Sequence, residues 1–119
     1  MLHHVTVEGT EDHLLYASKP KLGELRYRVT LAARVAGLRH LGDTVEFLDE
    51  GGAPRLRMNP PYAVDAKGEQ HALTVRVEGC AYDSDPRAPW GRRTTPPGAS
   101  ACTVAVSLPD GGYPMLVDP

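Results

Sequence analysis

The only cysteines and the only tryptophan of this chain fall in one stretch, Cys80 to Cys102. Its two ends are the cysteines, and they bracket a loop rich in proline and glycine. There is no C-x-x-C, so neither a thioredoxin-like redox pair nor a zinc knuckle is indicated. The placement instead predicts a disulfide closing the loop at its base, and hence an oxidising, extracytoplasmic compartment. Inside the loop, Asp83-Ser84-Asp85 has the spacing that opens a calcium loop, but the glycine and distal glutamate of an EF-hand are missing. The two aspartates are therefore read as turn caps ahead of Pro86. Trp90, the only tryptophan, stands between Pro89 and Gly91, with Arg87, Arg92 and Arg93 nearby and Tyr82 at the base. A rigid aromatic among arginines is the composition of an interface hot spot, and it would equally suit stacking on a sugar. The competing use of the same residues is a plug, with Trp90 folded back onto the sandwich end and the arginines left at the rim. A small core seldom leaves its largest residue outside, so the plug, at least in part, is the expectation.

Elsewhere the sequence argues against catalysis. None of the histidines, His3, His4, His13, His40 and His71, forms an H-x-H or H-x-x-x-H pair, and His3 and His4 on a strand would point to opposite faces. Zinc needs three or four converging ligands, so no metal is expected. The G-x-S-x-G elbow of hydrolases and the G-x-x-x-x-G-K-[ST] phosphate loop are both absent. No carboxylate pair suggests glycoside hydrolysis. The chain reads as a non-enzyme, without catalytic residues or cofactor. A formal net charge of −2 gives no nucleic-acid footprint. No apolar run approaches the roughly 18 residues of a membrane span.

The elements that must carry the loop are strands. A length of 119 residues suits a single domain, here one β-sandwich over 1–119. Residues 3–7 and 13–17 are strand candidates around a polar turn at 8–12; they look like strand rather than signal peptide, which points to a piece of a longer exported protein. In 24–31, Leu25, Tyr27, Val29 and Leu31 share one face while Glu24, Arg26, Arg28 and Thr30 share the other. Residues 32–38 are the one place for a turn or two of helix, although a strand over 37–41 is favoured. Residues 44–48 and 54–58 follow as a hairpin about Gly51-Gly52, with Leu56 and Met58 on one face. A second hairpin joins 62–65 to 70–77. Cys80 is out of phase with Leu73, Val75 and Val77, whereas Cys102 is in phase with Val104 and Val106. The sulfurs meet only if Gly79 hosts a bulge or the cysteines lie just outside the ladder. A turn at Asp110-Gly111-Gly112 leads to a last strand over 113–117, in which Tyr113, Met115 and Val117 share a face and Pro114 suggests a sheet edge. Together these predict an all-β, antiparallel sandwich or barrel-like fold of eight to ten short strands with one disulfide-closed loop.

Three segments carry a family resemblance. Residues 25–31 (Leu-Arg-Tyr-Arg-Val-Thr-Leu), 62–68 (Tyr-Ala-Val-Asp-Ala-Lys-Gly) and 113–119 (Tyr-Pro-Met-Leu-Val-Asp-Pro) resemble motifs in the β-rich N-terminal domain of large exported bacterial proteins. Those proteins carry SBBP-type β-propeller repeats or other extracellular modules. The resemblance runs from about Leu25 to Pro119. It implies a non-catalytic, secreted or cell-surface structural or interaction module. Its partners would be other modules of the same chain, or a cell-surface protein or glycan. The alternative is a carbohydrate- or ligand-binding sandwich using the Trp90 loop. The chain departs from the wider pattern in having no propeller repeats and in having the Cys80/Cys102 pair around Trp90.

Overall fold

The computed structural model describes residues 2–6 and 9–118, with side chains described from Leu14 onward. Among these residues there are strands and no helix. In chain order they are β1 (Leu2–Thr6), β2 (Gly9–Tyr16), β3 (Glu24–Thr30), β4 (Gly37–Leu41), β5 (Thr44–Leu48), β6 (Pro54–Met58), β7 (Tyr62–Val64), β8 (Gln70–Ala72), β9 (Val75–Glu78), β10 (Ala101–Ser107) and β11 (Met115–Asp118). The all-β, antiparallel class expected from the alternation is what the chain adopts. Residues 32–36 make a turn, closed by the Val35 N–H on the Ala32 carbonyl, rather than a helix. The chain divides into two compact units, 1–25 with 60–74 and 106–119, and 26–59 with 75–105.

The first unit is built on a five-stranded sheet in the order β1-β2-β11-β7-β8. The β1–β2 hairpin is tighter than expected: β2 already begins at Gly9, opposite Thr6, so residues 9–12 are strand. Residue 7, the expected end of the first strand, and residue 8, the start of the expected turn, lie outside the described residues. β11 is antiparallel to β2 on one side and to β7 on the other. It is therefore a central strand, not an edge. Pro114 lies just ahead of it, where its missing N–H costs the ladder nothing. Met115 and Val117 are fully buried, alongside Ala63, Leu73, Val106 and Leu108.

The second unit is a small sandwich. One layer is β4-β5-β6, and the other is built from β3-β10-β9. Cross-strand partners share a face, so the register Leu38↔Phe47 and His40↔Val45 puts these four side chains on one side of the first layer. Leu38, Val45 and Phe47 meet Val77 and Cys102 from the other layer, with Val29, Val75 and Met58 packed around them. On β3 the alternation holds: Leu25, Tyr27 and Val29 are half-buried, and Arg26, Arg28 and Thr30 are exposed. The strand expected over 70–77 is broken at Leu73-Thr74. β8 pairs with β7, while β9 lies beside β10. Leu56 and Met58 share a face of β6 as expected, opposite Phe47 and Val45, and Leu56, on this edge strand, is 70 % exposed.

Candidate functional site

The loop between β9 and β10 starts from a covalent base. Cys80 and Cys102 form a disulfide with Cα atoms 5.5 Å apart. The phase mismatch is resolved as the sequence required. Gly79 has φ +83°, a conformation that costs glycine little, and Cys80 follows it just outside β9. Closing a loop of this length removes roughly 3 kcal/mol of chain entropy from the unfolded state in the loop-entropy description.

From its base the loop runs along the open edge of β4. The Asp83 N–H donates to the Leu38 carbonyl, and the His40 N–H donates to the Asp83 carbonyl, both at 2.8 Å. This short parallel bridge pairs Asp83 with Arg39. Side chains alternate across it. Tyr82 turns to the core side, edge-to-face with His40 at 5.3 Å between ring centroids. Asp83 turns to the outer side.

That outer face of β4-β5-β6 carries a polar ladder, Arg39↔Glu46↔Arg57. Arg39 is 8 % exposed and Glu46 is 5 % exposed. Arg39 Nη1 donates to Glu46 Oε1 at 2.8 Å, and Arg57 Nη2 donates to Glu46 Oε2 at 2.7 Å. Arg39 spends its remaining donors on the loop, with Nε on the Asp85 carbonyl at 3.3 Å and Nη2 on the Pro86 carbonyl at 3.1 Å. The planar fork of guanidinium is what lets one side chain bond a strand carboxylate and two loop carbonyls together.

Asp83 and Asp85 work as the turn caps expected of them. Asp83 Oδ1 accepts the Asp85 N–H and Asp85 Oδ1 accepts the Arg87 N–H, each at 2.9 Å. Their other oxygens hold arginines. Arg87 Nη2 reaches Asp85 Oδ2 at 2.5 Å. Arg92 Nη2 reaches Asp83 Oδ2 at 3.2 Å, and its Nε donates to the Ala88 carbonyl at 2.8 Å. The Arg87 guanidinium, with the Arg87 backbone N–H, holds the Asp85 carboxyl far below the ordinary aspartate range. A depressed folded-state value stabilises the fold above the unfolded pKa of about 3.9, and that contribution is lost only as pH falls through the folded value. Asp85 is therefore expected to stay ionised at about pH 3. Carbon-13 carboxyl titration checks this, and protonation near the ordinary value would mean that Arg87 does not hold it.

The tip of the loop decides the role of Trp90. Pro89 is buried on the β5–β6 turn, where Gly52 has φ +80° and leaves no space: a Cβ there would overlap the Pro89 carbonyl. The Gly91 N–H donates to the Gly51 carbonyl at 3.2 Å. Backbone on both sides of Trp90 is thus pinned, while its side chain points away and the residue is 62 % exposed. The expected plug is not formed: a buried proline occupies the contact, and the indole lies outside. Of the residues singled out in the sequence, the structure brings Arg87 and Arg92 together around Asp83 and Asp85. It leaves Trp90 and Arg93 exposed at the tip, and it sends Tyr82 to the opposite face against His40. Sequence reasoning missed Arg39, Glu46 and Arg57. Their one signal was a charge inside each of three successive short strands.

A second cluster lies in the first unit, in the β7–β8 turn. Asp65 Oδ1 accepts the backbone N–H groups of Lys67 and Glu69, both at 2.9 Å. Its Oδ2 lies 2.7 Å from His71 Nε2. Donor atoms of Asp65, Glu69 and His71 lie within 4.8 Å of one another. The D-x-x-x-E-x-H spacing could have been read from the sequence, but a search by histidine pairs passes over it.

No family model, no curated protein and no solved structure matches this chain.

Proposed function

We propose that this chain is a non-catalytic interaction module of an exported or cell-surface bacterial protein, and that the tip of the disulfide-closed loop, centred on Trp90, is its recognition element. The observation that carries this reading is the contrast at the tip. The backbone at Pro89 and Gly91 is anchored, and the largest side chain in the protein is directed outward. An element ordered before it binds loses little conformational entropy on association, and tryptophan and arginine are the residues most enriched where binding energy concentrates. The disulfide supports an oxidising compartment. Among the described residues no helix is long and apolar enough to cross a membrane. The resemblance of residues 25–31, 62–68 and 113–119 to exported bacterial modules points the same way.

Two measurements test the reading. Trp90 emission is expected to be red-shifted and readily quenched by acrylamide, and Trp90→Ala is expected to change stability by no more than about 0.5 kcal/mol, as for other surface substitutions. In the exported protein on cells, a photo-crosslinking side chain at position 90 is expected to give a discrete protein or glycan adduct that the same side chain at exposed Leu22 does not. A Trp90→Ala variant destabilised by several kcal/mol, or equal labelling from both positions, would overturn it.

A further inference from the structure

We propose that the β7–β8 turn is a binding site for a divalent transition-metal ion of the zinc type, with Asp65, Glu69 and His71 as its protein ligands. The site is separate from the Trp90 loop and independent of the function proposed for it.

The donor set is the first argument. Two carboxylate oxygens and an imidazole nitrogen suit zinc-like ions, whereas an all-oxygen set would suit calcium or magnesium. The second is the pairing of charge. Glu46, Asp49, Glu78, Asp83 and Asp85 each hold an arginine side chain. Asp65, whose side chain is only 7 % exposed, holds an imidazole instead. An imidazole carrying its proton on Nδ1 offers a free Nε2 lone pair beside the carboxylate, so the two can take a metal ion between them, which an Asp–Arg pair cannot do.

The third argument is reach. Ligands of a tetrahedral ion at 2.0–2.2 Å stand about 3.4 Å apart. Asp65 Oδ2 and His71 Nε2, now 2.7 Å apart, would have to part by less than about 1 Å. The Glu69 carboxylate, within 4.8 Å of both, would have to close by an ångström or so, and Glu69 is exposed, with room to do it. Asp65 needs no reorientation. Two backbone N–H groups already fix its Oδ1, and the turn itself is closed by the Asp65 N–H on the Glu69 carbonyl at 2.9 Å. The Ala66 N–H on the Gly112 carbonyl braces the turn from outside. Three protein ligands leave a fourth position for water or for a donor from a partner.

The test titrates the untagged chain with zinc sulfate by calorimetry and follows the histidine ring resonances by NMR. The expected result is saturable binding of one ion that perturbs His71 first. Glu69→Gln keeps every backbone bond of the turn and is expected to weaken binding about tenfold or more, while melting as the parent chain does without zinc. His71→Ala is expected to abolish binding, and the joint His3→Ala/His4→Ala variant to leave it intact. Zinc should raise the melting temperature of the parent chain but not of His71→Ala. Absence of saturable binding, binding that survives both Glu69→Gln and His71→Ala, or binding lost with His3→Ala/His4→Ala would each overturn the proposal.

Discussion

Removing the chain from Tyr113 onward is expected to unfold the first unit rather than trim it. β11 stands between β2 and β7, so its loss takes away two ladders at once and leaves two inner edges without partners. It also removes Met115 and Val117, both fully buried. Burying two side chains of this kind contributes roughly 3 to 6 kcal/mol, a large part of the 5 to 15 kcal/mol by which small domains are stable. The truncated chain should lose its cooperative melting transition. Met115→Ala offers a finer measure: it keeps both ladders and should cost about 2 to 5 kcal/mol by leaving a cavity. Chemical denaturation reads both. A truncated chain that melts at the parent temperature would show that β11 contributes no core.

Glu46→Ala is expected to be the most damaging single polar substitution, at about 3 to 5 kcal/mol, because it strands the buried Arg39 guanidinium without a counter-charge. Arg39→Met should cost less, since Glu46 keeps Arg57 at 2.7 Å and the new side chain fills similar volume. Its signature should appear in the loop instead. The Asp85 and Pro86 carbonyls lose their donors, so the segment from Asp83 to Pro89 should exchange amide hydrogens faster and the anisotropy of Trp90 should fall. The two variants thus separate the cost of an unpaired charge from the release of the loop. A Glu46→Ala protein within about 1 kcal/mol of the parent would mean that the ladder is solvated and that the loop is held by its disulfide and bridge alone.

Much of the secondary structure was legible because a strand with one dry face has a period of two. Leu25-Tyr27-Val29 and the β4–β5–β6 meander could be read from that period and from the Gly51-Gly52 turn. The places where the reading failed share a cause. Pro114 looks like an edge signal in isolation, but its effect depends on whether it falls inside the ladder or one residue ahead of it. The break at Leu73-Thr74 is invisible to periodicity, because the apolar phase runs through it unchanged while the pairing partner switches from β7 to β10.

For the loop, local chemistry determined a good deal. The cysteine placement implied the disulfide, the phase of Cys80 required either an irregularity at Gly79 or a place just outside the ladder, and Asp83 and Asp85 could be read as turn caps, since each depends on residues close in the chain. The fate of Trp90 did not follow from the same residues. It depended on whether the loop could find other means of attachment. The structure supplies them from elements far away in sequence: the open edge of β4, the buried Arg39 held by Glu46, and the space above Gly52 that Pro89 fills. With those contacts in place the loop had no need of its indole as an anchor. Sequence by itself determined what the loop is made of and where it is tied. Only the tertiary structure decided which side it turns to solvent, because burial is set by neighbours that the local chain does not contain.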